Sequence, residues 1–235
     1  MNKRKSRWLA AAIAAFAIIA GTAAFMTSRD TVTNTFPAGK LQIQIIEPNW
    51  VPDPVIVPEQ EVRKNPYIEN TDTTSAYVFM EVTVPAAEVT LEVSAPDDDK
   101  GKVNATKTIP LFRFVSDNSY TSNPTGNQVI RAGWFPMSGY PVTNTNSAGK
   151  TVSYTYLYAY TGANTDDTMA VLTSGSRTTT PLFDSVRFCN AREDDTIPGS
   201  RQNIEIRAYG IQSGFLISSG ETATKAEDVW QYLKK

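Results

Sequence analysis

The sequence predicts an all-β protein, a jelly-roll-like antiparallel β-sandwich with one short C-terminal helix. Three observations lead to this fold class: short runs of alternating apolar and polar residues, turn-rich stretches between them, and one amphipathic segment near the C-terminal end. Alternation with a period of two is typical of a strand that buries one face. Many such strands, separated by Gly, Pro, Asn and Asp, indicate a sandwich or jelly roll.

The alternation is clearest in four segments, residues 41–45, 76–84, 151–160 and 203–211. Weaker strands are predicted at 88–94, 108–115 and 129–135. Within 76–84, one face collects Ala76, Val78, Met80, Val82 and Val84, and the other Tyr77, Phe79, Glu81 and Thr83. The last strand turns Ile204, Ile206 and Ala208 to one side. These faces predict which side chains line the core.

Polar stretches rich in turn residues separate the strands, at 96–101, 117–126, 137–149, 162–167 and 194–199. The run Ala148-Gly149-Lys150-Thr151 is similar to the end of a phosphate-binding loop, but it leads into a strand pattern and is interpreted as a hairpin turn.

In the C-terminal segment, Thr224 and Glu227 form a candidate capping box. Its apolar helix face would hold Ala226, Val229, Trp230 and Leu233. No linker interrupts residues 40–235, which are predicted to form one β domain.

The first 24 residues have the order of a secretory signal peptide: a basic head, an apolar run at 8–20 and small residues. Thr22 and Ala24 fit the two small-residue pockets of a signal peptidase, which places the cleavage before Phe25. An uncleaved membrane anchor is the alternative, although the run is shorter than the ~20 residues that span a bilayer. We expect a secreted protein of the extracellular matrix or cell surface. The C-terminal residues show no sorting signal, so retention would depend on association.

Charge and residue types exclude several functions. The chain has 22 basic and 24 acidic residues, and four of the basic ones precede Trp8, so no basic patch indicates nucleic-acid binding. The absence of histidine excludes a His-Glu-x-x-His zinc site and Ser-His-Asp or Cys-His catalysis. We therefore predict no enzyme activity, no catalytic residues, no metal and no cofactor. Cys189, the single cysteine, is expected to be a small buried side chain, with a reactive or intermolecular thiol as the alternative.

Three stretches resemble the TasA/camelysin (CalY) family of Gram-positive surface and biofilm-matrix proteins. Residues 25–43 follow the cleavage site and carry Thr35, Phe36 and Gly39 in the family's Thr-Phe-x-x-Gly pattern. Residues 57–78 are similar to its Pro-Gly-x-x-x-x-Lys, Asn-x-Gly and Ala-Tyr-Val pattern, with Glu59 and Asp72 at the glycine positions. Residues 204–212 are similar to an Ala-Tyr-Ala-Ile-Gln strand. Residues 96–184 match no pattern of the family.

The resemblance implies a jelly-roll subunit of an extracellular fibre that polymerises by donor-strand complementation. Its partners would be further copies of itself, a SipW-like signal peptidase during export and an accessory fibre subunit. The donor segment would be residues 25–39, and its strand residues are Phe25, Thr31, Val32, Thr33, Thr35 and Phe36. An open sheet edge offers unpaired backbone groups to such a strand. Residues 37–39 would end the strand and let the chain leave its own domain.

Other interpretations stay open from the sequence. The segment at 25–36 can also be a flexible mature N-terminus, and the protein can be a monomeric cell-surface adhesin or a glycan- or protein-binding module. A camelysin-like peptidase is a third alternative, which the absence of histidine makes poor.

Two surface features have alternative interpretations. The acidic turns at 97–99, 166–167 and 194–195 can be solvated or can hold Ca²⁺, although none has the spacing of a known calcium loop. The second feature is a tyrosine ladder on one side of the 151–160 strand, formed by Tyr154, Tyr156, Tyr158 and Tyr160. It can make lateral contacts to sugars or to a neighbouring filament, or it can pack beneath the loop at 137–149.

Overall fold

A computed structural model describes residues 27–29, 34–36, 39–49, 59–90, 106–173, 175–191, 203–214, 220 and 222–234, with the backbone alone before residue 41. The predicted signal peptide lies outside these residues, as do Phe25, Thr31, Val32 and Thr33. The acidic turns at 97–99 and 194–195 lie outside them as well.

Fourteen strands and one helix form the described part of the chain. The strands are β1 (Thr27–Arg29), β2 (Asn34–Phe36), β3 (Gly39–Leu41), β4 (Ile43–Ile46), β5 (Glu61–Arg63), β6 (Tyr67–Asn70), β7 (Ala76–Val89), β8 (Lys107–Pro110), β9 (Phe112–Val115), β10 (Trp134–Pro136), β11 (Val142–Thr145), β12 (Thr151–Tyr160), β13 (Ser185–Phe188) and β14 (Glu205–Gln212). The helix is α1 (Ala226–Leu233). All strand pairs are antiparallel, so the predicted fold class, an all-β sandwich with a short C-terminal helix, is confirmed.

The large sheet has the strand order β1-β14-β7-β12-β10, and β8 and β11 extend it by pairing with β7 and β12. The small sheet has the order β5-β13-β9, and two further pairs join β2 to β3 and β4 to β6. Strand β7 is the centre of the large sheet, because β12 pairs with it from Phe79 to Pro85 and β14 from Ala76 to Thr83.

The two faces of the large sheet bury two separate apolar clusters. Toward the small sheet, the core includes Val78, Val82 and Ala208 from the large sheet and Phe114 and Val186 from the small one. The opposite face packs beneath α1, where Phe79 and Trp230 have ring centroids 5.1 Å apart. The layers are therefore helix, large sheet and small sheet. The alternation predicted for 76–84 is confirmed residue by residue, and Ile204, Ile206 and Ala208 share the core side as predicted.

Three predicted elements differ from the structure. The segment 108–115 is two strands, because the chain passes from the large sheet to the small one at Leu111, whose N–H donates to Pro85 O at 2.9 Å. Of 129–135, only Trp134 and Phe135 are in a strand. The capping box is wrong: the N-cap of α1 is Lys225, without a side-chain cap, and the Ala226 N–H donates to Asp167 O instead. The apolar face predicted for α1 is confirmed, with Leu233 partly buried.

Candidate functional site

The outer edge of β14 is the feature of the fold that bears on assembly. Strand β1 pairs with it over three positions, with Thr27 opposite Ile211, Ser28 opposite Gly210 and Arg29 opposite Tyr209. Strand β14 extends beyond the part that β1 covers, because it begins at Glu205. On the side of β14 away from β7, no described strand pairs with residues 205–208. Since unpaired strand groups are a template for another strand, this edge is a docking position for extended chain.

Strands β2 and β3 of the N-terminal segment form an antiparallel hairpin. Strand β2 pairs with β3, with Thr35 opposite Lys40 and Phe36 opposite Gly39. The two predicted donor residues that the structure describes, Thr35 and Phe36, therefore lie in this hairpin and not on β14. Within one chain, β2 therefore runs antiparallel to β3, and β1 pairs with β14.

A glycine on β14 lets β4 pack closely against the core-facing side of that strand. The backbone of Gly210 lies so close to Ile43 that a Cβ built there would be 3.0 Å from Ile43 Cδ1. Glycine in a strand often marks such a close approach. Ile43 and Leu41 thereby join the core beside the edge that β1 occupies.

Charged and aromatic side chains form a network on the opposite face of the same edge. The Tyr209 hydroxyl donates to Glu81 Oε1 at 3.1 Å, and Arg207 Nη2 donates to Glu205 Oε1 at 2.6 Å. Burial and the neighbouring Glu81 carboxylate raise the pKa of Tyr209. The hydrogen bond from Arg207 to Glu205 raises the pKa of Arg207. Sequence reasoning missed this network, although alternating charges at 205 and 207 were a signal of an exposed strand face.

The tyrosine ladder is buried, which corrects the hypothesis of lateral contacts. Tyr156 and Tyr158 are each 1 % exposed and Tyr154 is 9 % exposed, so their ring faces are not available to a sugar or a filament. They lie in the core between the sheets, where the ring centroids of Phe114 and Tyr156 are 5.7 Å apart. The alternative hypothesis, that the ladder packs beneath the loop at 137–149, is correct about burial. It is wrong about the element that covers the tyrosines, because Met137 of that loop packs against the opposite face of the large sheet. Tyr160 is partly buried, and its ring centroid lies 5.3 Å from that of Trp134.

The acidic pair at 166–167 binds a lysine. Lys225 Nζ lies 2.7 Å from Asp166 Oδ2 and 2.7 Å from Asp167 Oδ1, and it also donates to the Thr168 hydroxyl. The hydrogen bond from Lys225 lowers the pKa of Asp166 to about 2, assisted by the Thr168 N–H. This arrangement gives the two carboxylates a role in anchoring α1 and corrects the calcium alternative at this turn.

Other predicted positions have structural roles. Cys189 is buried, and burial raises the pKa of its thiol to about 12, which confirms the small apolar side chain. The run 148–151 is part of the β11–β12 hairpin, as predicted, with Gly149 at φ +73°. Among the described residues, no three Cys, Asp or Glu side chains group as metal ligands would. In the same part of the chain, no helix is long and apolar enough to cross a membrane.

Comparisons with protein-family models, with curated proteins and with solved structures give no match for this chain.

Proposed function

We propose that this chain is a secreted structural subunit of an extracellular fibre, joined head to tail by its N-terminal segment. The observation that carries the proposal is the pairing of β1 with the outer edge of β14. Backbone hydrogen bonds hold such a strand in place, so the equivalent segment of a second copy can make the same bonds. The order of the signal peptide and the segment at 25–39 in the sequence also supports the proposal.

The register of β1 specifies how a longer donor strand would lie on the next subunit. Continued past Arg29, the same antiparallel register brings Thr31 opposite Arg207 and Val32 opposite Ile206. Residues directly opposite each other share a face of the sheet, so Val32 would be on the side of the core. The donor would then cover residues 205–208, which no described strand covers on that side.

Cleavage at Phe25 would act as the trigger, since a segment attached to a membrane-embedded signal peptide is not free to insert into another subunit. The partners proposed from the family resemblance are further copies of the chain, a SipW-like peptidase and an accessory fibre subunit. The location would be the extracellular matrix or the cell surface.

Negative-stain microscopy tests the proposal on two purified proteins, one beginning at Phe25 and one with a bulky tag fused before Phe25. We expect fibres from the first and single particles from the second. A third protein that lacks residues 25–39 should also stay monomeric. Fibres from this truncated protein would exclude the donor role.

A monomeric cell-surface binding module is the second candidate function. The observation in its favour is that β1 fills part of the β14 edge within its own chain, as in a closed monomer. The two candidates differ in their dependence on concentration. Single particles at every concentration and pH tested, from the chain that begins at Phe25, would favour the binding module.

A further inference from the structure

Two arginines and a tyrosine gather on the outer face of the small sheet. Arg113 of β9 lies directly opposite Arg187 of β13, so the two side chains share one face. The ring of Tyr120 lies over both guanidinium groups, with its centroid 4.8 Å from Arg187 Cζ and 5.7 Å from Arg113 Cζ. This face is on the far side of the core from the β14 edge.

The charges in this cluster are only partly balanced. Like charges directly opposite each other in a sheet are unfavourable. The charge of Arg187 is compensated by Glu59, whose Oε2 lies 2.5 Å from Arg187 Nη2. Arg113 forms no ion pair with any residue that the structure describes, and its Nε is buried without a hydrogen-bond partner. Among the described residues, Arg113 is thus the one guanidinium group of the cluster without an ion pair.

A rigid turn fixes the position of Tyr120. Ser116 and Ser119 exchange two backbone hydrogen bonds of 2.9 Å, and Asp117 and Asn118 between them have φ values of +50° and +58°. Asp and Asn tolerate this left-handed conformation better than most residues. The Asp117 N–H also donates to Asp184 Oδ2 at 3.0 Å. The ring is therefore held in place over the arginines.

Tyr120 also offers free surface. It is 37 % exposed and is the one aromatic residue among the exposed large apolar side chains of the described part of the chain. An aromatic ring beside a cation suits a sugar that has an apolar C–H face and an acidic group. The guanidinium group forms a planar fork that matches a carboxylate with two parallel hydrogen bonds.

We propose that Arg113, Arg187 and Tyr120 form a binding site for carboxylate-bearing sugars of the uronic acid type. The carboxylate pairs with Arg113, and the pyranose ring lies against Tyr120. The chain as a whole is acidic, and Glu59 and Glu61 flank the cluster, so the site takes one carboxylate of its ligand and is not a general polyanion patch. The site is independent of the fibre proposal, because it uses no residue of the β14 edge.

Isothermal titration calorimetry with tetragalacturonic acid tests the site on the chain that begins at Phe25. We expect saturable binding that weakens at least about tenfold in Arg113→Gln and in Tyr120→Ala. Arg113→Lys keeps the positive charge but loses the planar guanidinium group that makes two parallel hydrogen bonds, and we expect it to weaken binding as well. The matched control is Arg63→Gln, which removes an exposed arginine from β5 of the same sheet and should leave the affinity within about twofold. Circular dichroism checks that each variant is folded.

Several outcomes would overturn the inference. One is equal binding of the neutral methyl ester, and another is no binding of tetragalacturonic acid. Equal loss in Arg63→Gln would indicate diffuse charge instead of a site. Equal affinity for polyglutamate would contradict the sugar class. If Arg113→Gln does not fold, full affinity retained by both Arg113→Lys and Tyr120→Ala would reject the site.

Discussion

At the residue scale, two tyrosine hydroxyl groups in the same core have different surroundings. Tyr156 and Tyr158 are next neighbours on the buried face of β12, with ring planes 5° apart and centroids 6.4 Å apart. Gln128 Nε2 donates to the Tyr156 hydroxyl at 3.1 Å, whereas the Tyr158 hydroxyl is buried and has no hydrogen-bond partner among the described residues. Burial raises the pKa of Tyr156 to about 12 and raises the pKa of Tyr158 well above its ordinary value of 10, so both stay neutral at physiological pH.

The first prediction contrasts the removal of these two hydroxyl groups. Tyr156→Phe should lower the free energy of unfolding by about 1 kcal/mol, because it removes a buried hydrogen bond. Tyr158→Phe should leave the free energy of unfolding unchanged or raise it by up to about 1 kcal/mol, because it removes an unpaired buried polar atom. Urea denaturation measures both. A loss of stability in Tyr158→Phe equal to that in Tyr156→Phe would show that the Tyr158 hydroxyl has a partner.

The second prediction concerns the crossing of Ile43 over Gly210. Gly210→Ala should lower the free energy of unfolding by about 1–3 kcal/mol, because its Cβ would press on Ile43. Ile43→Val removes the nearest methyl group, so the two changes together should cost less than their sum. The matched control is Gly175→Ala, where the nearest atom is Thr173 Oγ1 at an ordinary 3.9 Å. Strict additivity in a double-mutant cycle would contradict the contact.

At the scale of elements, α1 is held on the large sheet by one apolar face and one lysine. Ala226, Val229 and Trp230 are buried against the sheet, and Lys225 anchors the N-terminal end of the helix to Asp166 and Asp167. Residues 168 and 225 also form an isolated β-bridge. A helix of eight residues is too short to be stable alone, so this docking maintains it.

The third prediction is a pH dependence of this docking. The folded-state pKa of Asp166 is about 2, below its ordinary value of 3.8, so its contribution to stability is present above about pH 4 and is lost as the pH falls to about 2. The hydrogen bonds to Asp166 and Asp167 raise the pKa of Lys225 above its ordinary value of 10.5, so its contribution is present below that pH and is lost as the pH rises through the raised pKa. We expect acid to weaken the docking of α1, measured by near-ultraviolet circular dichroism and Trp fluorescence.

Two variants make this test specific. Lys225→Met should flatten the loss of stability between about pH 4 and pH 2, because Asp166 then lacks its main partner. Lys150→Met serves as the control, since Lys150 is exposed and forms a surface ion pair in which its Nζ lies 3.8 Å from Glu88 Oε2. Identical acid profiles for Lys225→Met and the original chain would contradict the role of this lysine.

At the scale of the whole molecule, the large sheet couples two apolar clusters. Phe79 points toward α1 and Phe114 lies between the sheets, but β7 and β12 contribute to both clusters. Loss of either cluster exposes one face of the same strands. The described fold should therefore unfold as one cooperative unit.

The fourth prediction tests this coupling. Phe79→Ala and Phe114→Ala should each lower the free energy of unfolding by about 3–5 kcal/mol, because each leaves a large cavity. Both variants should keep a single transition that coincides in far-ultraviolet circular dichroism and in Trp fluorescence. Two separate transitions in either variant would show that the clusters unfold independently.

The sequence by itself determined the fold class, the core-facing sides of the strands at 76–84 and 203–211, the burial of Cys189 and the apolar face of α1. These features follow from local periodicity and residue type, which a single strand or helix carries within itself. It located 108–115 but not the change of sheet at Leu111, because that change depends on two partner strands far away in the sequence.

Only the tertiary structure decided which surfaces are available. It decided the burial of Tyr156 and Tyr158, because a row of tyrosines on one side of a strand suits both a buried and an exposed sheet face. It placed Lys225 on Asp166 and Asp167, brought β1 to the β14 edge and set Arg113 opposite Arg187. Each of these contacts joins residues far apart in the chain. Strand register and sheet order fix them, and local sequence patterns do not encode either.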